Sequence, residues 1–157
     1  MNDQDQDRTI VVGVDGSEGG RRALHWAVRE AAARGGTVQA VAVWRWDLPG
    51  GGLEVATGPD DPKQRAEQLL ASEIADLPAG TPVASQVLEG RPATALGTAA
   101  RTADLLVLGS HGHSRVWHTV LGSVAEECAR TATCPVVVVP VPSEQPAGPP
   151  ASPAIPG

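Results

Sequence analysis

The chain has 157 residues, a formal net charge of −6 and 41% apolar residues. This length suits one domain with a core of its own. The acidic balance argues against broad binding of nucleic acid or of anionic membranes. No stretch approaches the ~20 apolar residues of a membrane span, and the acidic, amide-rich start is no signal peptide. The composition therefore predicts a soluble cytoplasmic protein.

The first half of the chain predicts a strand, a helix and a second strand, preceded by a disordered stretch over residues 1–7. Residues 9–14 predict a buried strand, and a helix follows from a cap at Ser17 to about residue 34, where a Gly-Gly pair stops it. Residues 37–43 predict the second strand. From 44 to 60 the pattern fails, and the Pro- and Gly-rich composition predicts a long mobile loop.

The second half continues the alternation of helix and strand. The predicted elements are a helix over 61–75, a strand over 82–88, a helix over 90–102, a strand over 105–108, a helix over 123–131 and a strand over 136–139. Residues 141–157 contain six prolines and predict an unfolded, polyproline-like tail. The order predicts an α/β domain over residues 8–140, with a five-stranded parallel sheet and helices on both faces.

The two cysteines, Cys128 and Cys134, are too few for a disulfide scaffold. Cys128 falls in a predicted helix and Cys134 at the entrance of a strand. We therefore expect two reduced thiols that contribute to packing.

The fourth strand leads into a glycine-rich loop. Gly109-Ser110-His111-Gly112 follows the strand, and after nine residues Gly122-Ser123 opens a helix. Glycines let the backbone approach a ligand, and the free amides at a helix N-terminus favour an anion. A strand, a glycine-rich loop and a helix N-terminus in this order predict a phosphate cradle. It is not a Walker A loop, because the chain's one lysine is Lys63.

This loop resembles the signature of the universal stress protein family. The nucleotide-binding members carry Gly, two residues, Gly, nine residues, then Gly-Ser or Gly-Thr, and this chain matches that spacing without a gap. The finish Cys134–Val139 adds to the likeness, which spans about residues 8–140. The resemblance implies a single Rossmann-like domain of the adenine nucleotide α-hydrolase type, in which the first and fourth strands are neighbours.

The resemblance also implies a function, which is the binding of ATP, with Mg²⁺, by a nucleotide-responsive stress protein. In the family, Ser or Thr at the position of Ser123 and the following amide, here of Val124, contact phosphate, and a backbone group matching Val43 meets the adenine edge. Asp15, at the carboxyl end of the first strand, is predicted to contact ribose, adenine or Mg²⁺. The predicted site residues are Asp15, Val43, Gly109, His111, Gly112, Gly122, Ser123 and Val124.

Several of these residues also have a plainer interpretation. The glycines serve equally as turn and helix-stop residues, and Asp15 is a common turn former ahead of Gly16. Ser123 and Glu126 have the spacing of a capping box, although a hydroxyl can accept from an amide while it donates to phosphate. His111 either donates to phosphate or covers the loop.

Other polar and aromatic residues in and near the loops leave their roles open. His111, His113 and His118 do not have a standard zinc spacing, and exposed loop histidines are the simpler interpretation. Arg115 either approaches phosphate or stays solvated. Trp44 either stacks on a base or packs under the long loop, and packing is favoured.

An enzymatic function is not predicted, because no Ser-His-Asp order, metal pair or general base accompanies the cradle. Slow ATP hydrolysis or autophosphorylation remains open. The alternative function is a dimeric interaction protein of the same fold that binds AMP or no nucleotide. Its homodimer would pair the apolar last strand, as family members often do, through Val136, Val137, Val138 and Val139.

Overall fold

The computed structural model describes residues 8–45, 61–111 and 121–142. In these ranges the chain forms a five-stranded sheet in the order β3-β2-β1-β4-β5, with all neighbouring strands parallel. The strands are β1 (Thr9–Gly13), β2 (Thr37–Trp44), β3 (Val83–Glu89), β4 (Leu105–Gly109) and β5 (Val136–Val139). The helices are α1 (Glu18–Arg34), α2 (Pro62–Ala75), α3 (Pro92–Ala99) and α4 (Ser123–Thr131). The predicted fold class is confirmed.

The sheet separates two apolar cores. Ile10 and Val12 face one side, where they pack with Leu24 of α1 and Leu70 of α2. Val11 faces the other side and packs with residues of α3 and α4. This alternation follows from the two-residue period of a strand, and it explains why β1 is apolar at every position from 10 to 12. The two helix layers predicted from the sequence are therefore present.

Strands β1 and β4 are neighbours, as the resemblance implied, with Ile10 opposite Leu105 and Val12 opposite Val107. From β1 the chain winds outward to β2 and β3, and then returns to β4 on the other side. The winding therefore reverses between β1 and β4. In open α/β sheets, ligands bind beyond the carboxyl ends of the strands at this point.

The predicted element bounds agree closely with those observed, apart from the end of α3. This helix was expected to reach residue 102 but ends at Ala99. The amide of Arg101 donates to Thr98 and that of Ala103 to Ala100, so three-residue turns replace the helical pattern and lead the chain into β4. The predicted disordered start, most of the predicted long loop and the tail from residue 143 lie outside the described residues.

Helix α1 has the caps that the sequence predicted, and an ion pair ties it to α2. The hydroxyl of Ser17 accepts from the amide of Gly20 at 3.1 Å, and Gly35 ends the helix with a φ of 73°. Arg21 Nε lies 3.3 Å from Oε2 of the buried Glu73. Its hydrogen bond to Glu73 raises the pKa of Arg21.

Both cysteines are free thiols. Cys128 is fully buried in the core beneath α3 and α4, and this burial raises its pKa to about 11. Partial burial also raises the pKa of Cys134. Neither thiol is therefore activated as a nucleophile at neutral pH.

Among the helices in the described ranges, none combines the length and the apolar character needed to cross a membrane.

Replacement of Leu106 by Ala should lower the free energy of unfolding by about 3 kcal/mol, because the side chain is fully buried in β4. The measurement is urea denaturation followed by circular dichroism. Leu121→Ala is the matched control, since Leu121 is 40% exposed, and it should cost less than about 0.5 kcal/mol. Equal costs for the two variants would contradict this description of the core.

Candidate functional site

A cleft of about 270 Å³ lies at the carboxyl ends of β1 and β4, where the winding of the sheet reverses. Its walls come from the segments after β1 and β4, from the end of β2 and from the first residues of α1, α3 and α4. The predicted site residues that line it are Asp15, Val43, Gly109, His111, Gly122, Ser123 and Val124. Gly112 lies outside the described residues, as do His113, Arg115 and His118.

Asp15 takes part in a turn that opens α1. Its Oδ1 accepts from the amide of Ser17 at 3.0 Å and also from the Ser17 hydroxyl. Gly16, between them, has a φ of 82°, which favours glycine. The turn-forming role weighed for Asp15 is therefore real, and the same bonds hold the carboxylate at the wall of the cleft.

The first turn of α1 lies directly against the loop after β4. A Cβ atom on Gly19 would stand 2.3 Å from the carbonyl oxygen of His111, and one on Gly109 would stand 2.5 Å from the carbonyl carbon of Gly19. Such distances leave no room for a side chain at either residue. Sequence reasoning did not assign Gly19 a role, because a glycine inside a helix does not reveal what approaches it.

Helix α4 begins differently from the predicted capping box. Its N-cap is Gly122, Ser123 is the first helical residue, and the amide of Glu126 donates to the carbonyl of Gly122 at 2.9 Å. The capping role that was the alternative for Ser123 is therefore not observed. The reason is one of register, because the helix starts at Ser123, one residue earlier than a Ser123 cap requires.

The amides at this helix end divide into two groups. The amide of Gly122 donates to the carbonyl of Ser110 at 2.7 Å, which closes the base of the loop. The next amides, of Ser123 and Val124, precede the first helical hydrogen bond, and no described residue accepts from them. They lie at the cleft, together with the positive end of the helix dipole.

Ser110 is a cleft residue that sequence reasoning did not single out. Its side chain is buried, and its hydroxyl lies 3.1 Å from Nδ1 of His111. Its amide and carbonyl both bond to other segments of the chain. The one feature of the sequence that could have indicated a cleft position for Ser110 is its place between Gly109 and His111, directly after the strand.

The cleft carries little formal charge of its own. Among its described lining residues, Asp15 has the single formal charge and there is no lysine or arginine. No group of three or more His, Cys, Asp or Glu side chains in the described ranges is arranged to hold a metal ion. Within these ranges an anion would therefore be bound by main-chain amides and the helix dipole.

Val43 and Trp44 end β2 on opposite faces, as the strand period requires. Val43 lines the cleft, whereas Trp44 is half-buried against the core formed with α1 and α2. The position of Trp44 agrees with the packing role that the sequence favoured for it.

The model of the universal stress protein family matches residues 7–140. The chain belongs to this family. It is 32% identical over 146 residues to a universal stress protein of Mycobacterium tuberculosis, covering 89% of this chain and 51% of that protein. It is 34% identical over 137 residues to one of Mycolicibacterium smegmatis, covering 83% of this chain and 45% of the relative. The chain thus spans about half the length of these curated relatives.

Solved structures of the family share the fold of this chain along almost their whole length. A universal stress protein in complex with cAMP superposes with a TM-score of 0.64 at 28% identity, covering 85% of this chain and 97% of that one. The universal stress protein of Archaeoglobus fulgidus in complex with dAMP gives a TM-score of 0.61 at 27% identity, covering 85% and 98%. Both of these relatives carry an adenine nucleotide.

Replacement of Gly19 by Ala should destabilise this universal stress protein by about 1–3 kcal/mol, because the added Cβ overlaps the backbone of the loop after β4. Gly97→Ala is the matched control. Gly97 lies within α3 with nothing near its missing side chain, so alanine there should be neutral or stabilise by up to about 1 kcal/mol. Chemical denaturation measures both effects, and a harmless Gly19→Ala change would refute the close approach.

Proposed function

We propose that the cleft binds an adenine nucleotide, that ATP with Mg²⁺ is its physiological ligand, and that the protein responds to this ligand as a regulatory stress protein. The observation that carries the proposal is that one cleft brings together the carboxylate of Asp15, the end of β2 and the N-terminal amides of α4, from which no described residue accepts. The complexes of two relatives with cAMP and dAMP support the nucleotide class.

The phosphates are assigned to the helix end and the loop. The amides of Ser123 and Val124 donate to phosphate oxygens, and the Ser123 hydroxyl, which makes no capping bond, adds a third donor. Gly122 contributes by closing the loop through its bond to Ser110 rather than by facing the ligand with its amide. Gly112 remains a predicted part of the same cradle.

The nucleoside is assigned to the end of β2. The carbonyl of Val41 accepts from the Val14 amide on the β1 side, and that of Trp44 accepts from Gly90 on the β3 side. Because successive residues of a strand bond to opposite sides, the N–H and C=O of Val43 point to the β1 side. Strand β1 ends at Gly13, which lies opposite Val41, so β1 does not extend as far as Val43. The N–H and C=O of Val43 therefore face the cleft, where they match the hydrogen-bonding edge of a base.

The residues present fit a Mg²⁺ ion that arrives with the nucleotide. Mg²⁺ is commonly held by one or two carboxylates together with substrate phosphates and water, and Asp15 is the one carboxylate in the described lining. An ion at this point would lie between the Asp15 carboxylate and the phosphates and would offset their repulsion.

A thermal melt with and without nucleotide tests the proposal. Mg-ATP at about 100 times its dissociation constant should stabilise the protein by about 2.7 kcal/mol and raise Tm by a few degrees. Parallel melts with ADP, AMP and cAMP rank the ligands, and EDTA separates the contribution of Mg²⁺. If none of these nucleotides shifts the melting temperature, the proposed function is wrong.

A variant at the cleft wall tests where the nucleotide binds. Gly122 has φ −57° and ψ 154°, which a valine adopts without strain, and it retains the amide that bonds to Ser110. Gly122→Val should therefore keep the fold and lose the nucleotide-induced shift, because Gly122 lines the cleft and a bulkier residue there leaves less room for a ligand. Gly97→Ala should keep the full shift. Normal nucleotide binding by Gly122→Val would contradict the assigned cradle.

A homodimer is the second candidate property, and the position of β5 favours it. This strand is one edge of the described sheet, and Val136, Val137 and Val138 are half-buried on it. The carbonyl of Pro135 accepts from Leu106 of β4, and that of Val139 accepts from Ser110 directly after β4. Because successive residues of a strand bond to opposite sides, the amide of Val138 points to the other edge of β5. Pairing with a second copy would satisfy that edge.

The cytoplasmic location inferred from composition stays a prediction.

Replacement of Val138 by Pro should convert a dimer into a 16.1 kDa monomer, because proline removes the outward amide. Val138→Ala is the control, since it loses the packing of the valine side chain but keeps the amide, and it should remain dimeric. Light scattering after gel filtration measures the mass. A wild-type monomer, or a dimeric Val138→Pro variant, would rule out pairing through β5.

A further inference from the structure

Ser110 is the residue at which three segments around the cleft meet. Its amide donates to the carbonyl of Val139 at 2.9 Å, and its carbonyl accepts from Gly122 at 2.7 Å. Its hydroxyl accepts from the amide of Val141 at 3.3 Å, and the residue is only 7% exposed. The loop after β4 is thereby tied to the start of α4 and to the segment that follows β5.

The hydroxyl of Ser110 also lies 3.1 Å from Nδ1 of His111, a residue of the cleft wall. A hydroxyl has one proton to donate and two lone pairs that accept. The amide of Val141 is a donor, so it occupies a lone pair and leaves the proton of the hydroxyl for another partner. Among the described residues, Nδ1 of His111 is the remaining group within hydrogen-bond distance of this oxygen.

The direction of the bond between Ser110 and His111 decides which ring nitrogen carries the proton. If Nδ1 carried it, the Ser110 oxygen would accept from both neighbours and its own proton would stay buried without an acceptor in the described structure. A buried donor without a partner is costly. The hydroxyl therefore donates to Nδ1, and the neutral ring carries its proton on Nε2.

We infer that Ser110 is a positioning residue for the nucleotide cleft: held by the amide of Val141, its hydroxyl fixes the tautomer and orientation of the His111 ring. This inference rests on the proposed function for its effect on binding, but its structural content does not. The His111 ring is then held in one orientation before the phosphates bind, so binding does not have to select that orientation from several.

Histidine ¹⁵N spectra and nucleotide titrations test this inference. The ¹⁵N shifts of the neutral His111 ring in the unliganded wild type should show the proton on Nε2. Ser110→Ala keeps both backbone hydrogen bonds of the residue but lacks the hydroxyl. Its His111 signals should shift toward an average of both tautomers, and the Kd for Mg-ATP should rise about fivefold, as expected for the loss of one hydrogen bond.

Two further variants separate positioning from a general loss of structure. Ser110→Thr retains a hydroxyl and should restore both the histidine signals and the Kd. Ser85→Ala removes a hydroxyl from the exposed edge strand β3 and should change neither. A fall in stability alone, with the His111 signals unchanged in Ser110→Ala, would assign Ser110 a purely structural role and overturn the inference.

The possible outcomes distinguish this inference from the proposed function. If wild-type protein binds no nucleotide, the proposed function fails, while the tautomer of His111 in the free protein still decides the role of Ser110. If wild-type protein binds nucleotide but His111 carries its proton on Nδ1, the inference is wrong and the proposed function stands. The wild-type spectrum tests the tautomer of His111 even if Ser110→Ala does not fold.

Discussion

The close backbone contact between Gly19 and Gly109 is the constraint on which the site depends. It brings the first turn of α1 against the end of β4, at a separation that leaves no space for a side chain on either residue. Because the carboxylate of Asp15 is held by Ser17 at the same helix end, the contact also sets the distance between that carboxylate and the loop. The two halves of the cleft are thus positioned by main chain, which deforms less than flexible side chains do.

A second consequence concerns the kind of charge that the cleft offers. In the described lining, positive potential comes from the amides and dipole of α4, and the one formal charge is negative. Amides are fixed in direction and do not titrate, so under the proposed function such a cradle selects its ligand by the geometry of the phosphates more than by net attraction. The net charge of −6 agrees with the proposed small anionic ligand better than with a polyanion.

Membership of the universal stress protein family rests on a match over residues 7–140, yet the curated relatives are about twice as long as the matched region. The solved structures that resemble this chain are, in contrast, covered almost completely by it. The fold that this chain shares with the solved structures is therefore that of a single domain of its own length. The open edge at β5 belongs to this same domain, and the segment after it contacts the cleft through Val141 and Ser110.

The sequence by itself determined the parallel α/β fold, most element bounds and the family, because apolar periodicity, caps and glycine spacing are local signals. It also indicated Asp15, Val43 and the residues around Gly109 and Gly122, which the structure brings to one cleft. Tertiary structure decided the rest: the approach of Gly19 to Gly109, the bond from Gly122 to Ser110 and the uncapped start of α4. These features depend on contacts between segments distant in the chain or on a one-residue shift in helix register, which local patterns do not encode.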